Sequence, residues 1–155
     1  MMKTIALGAG ALLAIAGSAS AEIYTDATGD IFDAGLVNLD ITQVEMTNDA
    51  STLFMTITID DLNADWGKYL LLIDNGAGGI ASDNPWLRDI DTNGAEMDAF
   101  VGSWIDSGGG AQSFTYSGGW VENSITGVTI AFGLAGTIDY AIPLADLGLS
   151  VGERD

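Results

Sequence analysis

The chain has 155 residues, with 22 acidic side chains against four basic ones, a formal charge of −18, and neither histidine nor cysteine. Without histidine it lacks the commonest general base and metal ligand, and without cysteine it has no thiol nucleophile, disulfide or thiolate metal site. Its charge repels nucleic acid phosphates and anionic lipid headgroups, and its oxygen-rich side chains form the ligand set of hard cations such as calcium.

The N-terminus carries a secretory signal pattern. Lys3 supplies the positive start, Thr4 to Gly17 the apolar stretch, and Ala19-Ser20-Ala21 a small-x-small cleavage site. The apolar stretch is too short to span a bilayer, so residues 1–21 are expected to leave on export, with no membrane insertion afterwards. The expected location is secreted, periplasmic or cell-surface, with residues 22–155 forming a single domain. Asp26, Asp30 and Asp33 then form an acidic cluster that would either line a cation site or stay a solvated surface.

Strand patterns follow. Leu39 to Thr47 and Thr52 to Asp60 are predicted to pair through a turn at Asn48-Asp49-Ala50-Ser51. Leu53, Met55, Ile57 and Ile59 share one face of the second strand, and Phe54, Thr56, Thr58 and Asp60 the other. Asp60, Asp61 and Asp65 read as surface. Tyr69 to Asp74 is a continuous apolar run, expected to be covered on both faces. Trp86 follows Asp83-Asn84-Pro85 in a loop context.

Asp89-Ile90-Asp91-Thr92-Asn93-Gly94 matches the opening of an oxygen-ligand calcium loop, and Glu96 and Asp98 continue the supply of carboxylates. An EF-hand would place a glutamate where Phe100 stands, and its flanks would be helical, so that motif is rejected. A calcium loop on a β scaffold remains, beside the plainer reading of a turn built from residues that favour turns.

Further strands are predicted at Ala99 to Ile105, Ser113 to Tyr116, Gly127 to Phe132 and Thr137 to Ile142, separated by glycine-rich turns. Trp104 is assigned to the core, whereas Trp86 and Trp120, beside Pro85 and Gly119, are the candidates for exposed contacts with a ligand. Pro143 to Leu147 reads as one helical turn. The chain then stops at Val151 to Asp155, where a further strand is expected, which leaves a C-terminally truncated domain as an open reading. The fold class is all-β, an antiparallel β-sandwich of jelly-roll or immunoglobulin-like type.

Two segments carry a resemblance. Leu39-Asp40-Ile41 through Ile59, and Gly136 to Gly152 with its Ile142-Pro143-Leu144 and Leu147-Gly148 steps, resemble the early hairpin and closing segment of secreted β-sandwich domains. Those domains are similar to carbohydrate-binding module family 9 and the DOMON-like group. The resemblance implies a sandwich that binds a glycan end or another small ligand, often with structural calcium. It carries over no ligand residues. Haem is disfavoured by the missing histidine.

The sequence therefore points to an exported, non-catalytic binding module for a polysaccharide or glycan. Trp86 and Trp120 would contact the sugar, and Asp89, Asp91, Asn93, Glu96 and Asp98 would hold calcium. The alternative is an acidic structural or matrix surface protein without a specific small ligand. A glycosidase would need two facing carboxylates, which sequence spacing alone does not pick out.

Overall fold

The computed structural model describes residues 21–63, 66–76, 78–123 and 127–150. The expected signal segment up to Ser20, Asp65 and the tail Val151 to Asp155 lie outside them. The described residues form nine strands: β1 (Glu22–Thr25), β2 (Ile41–Asn48), β3 (Thr52–Leu62), β4 (Lys68–Ile73), β5 (Ala99–Trp104), β6 (Gly110–Tyr116), β7 (Trp120–Asn123), β8 (Val128–Ala131) and β9 (Gly133–Pro143). They make two antiparallel sheets, one in the order β1-β2-β3-β9-β8 and one in the order β4-β5-β6-β7. The predicted antiparallel β-sandwich is what the chain forms.

The β2–β3 hairpin is the most local piece. Asp49 closes its turn, its carboxylate accepting the backbone N–H groups of Ser51 and Thr52 at 2.8 Å each. Those two bonds hold the Asp49 carboxyl below the usual carboxylate range. β3 then pairs with β9 along almost its whole length, from Thr52 opposite Pro143 to Leu62 opposite Gly133. The alternation in β3 buries Met55, Ile57 and Ile59, and β9 supplies Ile138, Tyr140 and Ile142 to the same face. Tyr69, Ala99 and Val101 from the other sheet close the core, and Leu147 joins from the short turn Leu144–Leu147. Each fully buried aliphatic side chain is worth about 1.5–3 kcal/mol, and in a chain with no disulfide this apolar burial is the main stabilising term.

Two strands escape the pattern rules. β1 is exposed throughout, so no apolar alternation marks it, and β7 spans only four residues after Gly118-Gly119. On β4 the face away from the core is half-buried rather than covered, Leu70 and Leu72 both keeping partial exposure. Tyr69, Leu71 and Ile73 pack on the core, while Leu72 lies beside the loop that includes Ala81 and Met97.

Polar groups inside the sandwich are tied together. The Ser103 and Tyr140 hydroxyls lie 2.6 Å apart, and the Tyr69 hydroxyl donates to the carbonyl of Asn38, whose amide in turn donates to the carbonyl of Trp66 at 2.7 Å. The turn Val37–Leu39 is thereby pinned to the start of β4. Burial, with the nearby Tyr140 adding to it, pushes the Tyr69 phenol up to about 12. Burial also pushes Tyr140 up to about 12, against the opposing pull of its bond to Ser103.

A phenol whose ionisation is raised on folding stabilises fully below its unfolded value near 10, and that contribution disappears as pH rises through about 12. The melting temperature should therefore fall between about pH 10 and pH 12. Tyr140→Phe should make that fall shallower in a series of thermal melts; an equally steep fall in the variant would contradict the assignment.

Candidate functional site

β5 is buried on both sides. Ala99, Val101 and Ser103 face the core, and Phe100, Gly102 and Trp104 face outward, yet Phe100 is fully buried. Its cover is an aromatic layer on the outer face of the four-stranded sheet. Phe100 meets Trp86, Phe114 and Trp120 edge-on, with ring centroids 5.6, 6.0 and 6.4 Å away. Such contacts add about 0.5–1.5 kcal/mol each beyond area burial.

Trp86 reaches this face from a turn that Asn84 holds. The Asn84 side chain accepts the Arg88 N–H at 3.0 Å and donates to the Arg88 carbonyl at 2.7 Å, and Pro85 sets the turn's first dihedral. The indole then lies close against the backbone of Gly102, where a Cβ would stand 2.5 Å from its ring carbons. Trp104 repeats the arrangement over Gly110, where a Cβ would stand 2.4 Å from its ring. The two indoles are 6.1 Å apart and tilted by 46°. Trp86 Nε1 donates to Gln112 Oε1 at 2.9 Å, and Gln112 Nε2 donates to Glu122 at 3.0 Å, which fixes the amide's orientation.

Beside the two indoles opens a hollow of about 340 Å³, lined by Lys68, Trp86, Arg88, Trp104, Asp106 and Gln112. Lys68 donates to Asp106, and that contact holds the Asp106 carboxyl below the usual range. Apolar flat walls with convergent donors and acceptors are the composition of a small-ligand site. A second hollow of about 330 Å³, between Gly108 and Phe132, is lined among the described residues by glycine and apolar side chains alone.

The predicted contact residues part company here. Trp86 is half-buried and lines the hollow. Trp120 opens β7 rather than sitting in a loop; it packs against Phe100 and Tyr116, and its Nε1 is buried without a partner among the described residues. Trp104, assigned to the core, instead stands on the outer face as the second wall of the hollow. Lys68, Arg88, Asp106 and Gln112 were not signalled by any motif. The trace in the sequence is Gly102 in mid-strand, since an isolated glycine in a strand marks a close approach.

Among the described residues, no group of three or more acidic side chains is placed to hold a metal ion. Asp91 accepts the N–H of Asn93 at 2.8 Å, and Asn93 and Gly94 both turn through positive φ. Asp89 and Glu96 are exposed, whereas Asp98 is buried at the start of β5, accepting the Asn75 N–H at 2.9 Å. Asp98 thus ties the end of β4 to β5. Asp26 and Asp33 also cap their own turns, on Ala27 and Gly35.

Comparison of the chain with protein-family models, with curated proteins and with solved structures finds no match.

Two stability measurements check these placements. Asp98→Ala removes a buried carboxylate and its bond to the half-buried Asn75 N–H and should cost about 1–3 kcal/mol, while Asp89→Ala and Glu96→Ala should stay within about 0.5 kcal/mol in denaturant unfolding. Gly102→Ala should dislodge the Trp86 indole, costing about 1–3 kcal/mol and shifting tryptophan emission to the red. Gly119→Ala, with nothing near its Cβ, serves as the neutral control.

Proposed function

We propose that the protein is an exported, non-catalytic module that binds a carbohydrate on the outer face of its four-stranded sheet. The observation that carries this reading is the hollow walled by Trp86 and Trp104 and edged by Asp106, Gln112, Lys68 and Arg88. The C–H-rich face of a pyranose ring lies well against an indole, and its hydroxyls need both donors and acceptors at the edge. Carboxylate, amide, ammonium and guanidinium groups supply both kinds.

The indoles are held before any ligand arrives. Trp86 is fixed by the Gly102 backbone and by Gln112, so little side-chain freedom would be lost on binding. The signal pattern at the N-terminus and the resemblance of the two end segments to secreted carbohydrate-binding domains point the same way. This reading does not depend on calcium: Asp91 accepts from Asn93 and Asp98 from Asn75, while Asp89 and Glu96 are exposed.

Trp104→Ala should weaken binding of an oligosaccharide by about tenfold or more, about 1.4 kcal/mol, with only a small change in melting temperature. Titration calorimetry across a panel of neutral and charged oligosaccharides checks this. Unchanged affinity in the variant, or no binding by the folded wild type, would transfer the protein to the structural, matrix-associated reading.

A further inference from the structure

We infer that the sugar this hollow accepts carries a carboxylate, a uronate-bearing oligosaccharide, with Arg88 as the group that selects it. The inference rests on the carbohydrate reading of the site. It is motivated by where the chain places its few cations. Lys68 and Arg88 are the only basic side chains among the described residues, and both line the same hollow. Every other part of the described surface carries carboxylates or no charge.

The two cations are not equivalent. Lys68 is neutralised by Asp106, which lines the same hollow. The Arg88 guanidinium is exposed and has no carboxylate partner among the described residues, although 22 acidic side chains are available in the chain. Its backbone is locked by Asn84 at both the N–H and the carbonyl, so the side chain is presented from a fixed base. Among the described residues the charged lining is Lys68, Arg88 and Asp106, a formal +1 in a chain whose total is −18.

That contrast gives the selectivity its physical form. The total charge repels any anion at long range, and beyond about 8 Å such fields are screened at physiological salt. An anion is held only if it reaches a fixed cation in contact. A guanidinium beside two indole walls offers a planar fork that pairs both oxygens of a carboxylate while the sugar ring lies on the tryptophans. A neutral sugar would leave that fork without its match.

The test uses the full mature chain and oligomers of galacturonate, mannuronate and glucuronoxylan, each beside its own methyl ester, with a sulfated, uronate-free galactan oligomer as a further arm. At least one acid should bind about tenfold or more tighter than its ester, the difference expected for one charge-assisted contact. Arg88→Gln should abolish the difference between acid and ester, with the melting temperature unchanged. Equal affinities for acid and ester, an acid preference that survives Arg88→Gln, or tighter binding of the sulfated oligomer would each overturn the inference. If neutral sugars bind and no acid is preferred, the carbohydrate reading stands without it. If the folded chain binds no sugar in any arm, both fall.

Discussion

The double burial of β5 is the constraint on which the rest of the molecule depends. One face of that strand completes the sandwich core through Ala99 and Val101, and the other lies under an aromatic layer centred on Phe100. A sheet in a two-layer sandwich ordinarily leaves its outer face to water. Here the outer face is apolar, and it is covered by side chains arriving from outside the strand, chiefly Trp86. The glycines beneath the indoles make that close approach available, because any side chain at Gly102 or Gly110 would occupy the space the rings fill. What the layer leaves open, between Trp86 and Trp104, is the hollow.

The acidity of the chain has a local use that a count of charges conceals. Asp26, Asp33, Asp49, Asp74, Asp83 and Asp91 each accept a backbone N–H from their own turn, one to three residues on. A short carboxylate mimics a backbone carbonyl in such turns and closes them without help from the core. Many short strands need many turns, so an all-β chain of this size accumulates aspartates for architectural reasons. The same carboxylates keep the surface strongly negative, which makes the cationic rim beside Trp86 stand out.

The sandwich was legible because burial in β3 and β9 follows strict alternation, and because Asp49 and the glycine turns punctuate it. β1 and β7 were not legible: one buries nothing, and the other is too short to show a period. Among the site residues, Trp86 was found by its loop context, but for a display role it fills only in part. Trp104 goes to the outer face because Ala99, Val101 and Ser103, the smaller side chains of β5, face the core, whereas the core assignment follows only the common fate of aromatic side chains. Trp120 was placed in a loop by Gly118-Gly119, yet it pairs with Tyr116 across β6 and β7. Lys68, Arg88, Asp106 and Gln112 come from four separate segments, and no local pattern records their meeting. Asp98 was counted with its loop, although its carboxylate belongs to the β4–β5 connection.

The central claim is that the outer face of the four-stranded sheet is a binding surface and not merely a sealed one. The indole N–H resonances of Trp66, Trp86, Trp104 and Trp120 provide four separate reporters, since the rings occupy an exposed connection, the two walls of the hollow and the buried side of the layer. Following them in an NMR titration with oligosaccharide tests the claim most directly. The account predicts that the Trp86 and Trp104 signals move together and saturate, while those of Trp66 and Trp120 stay in place. Movement confined to Trp66, or no movement at any of the four in a folded sample, would contradict it.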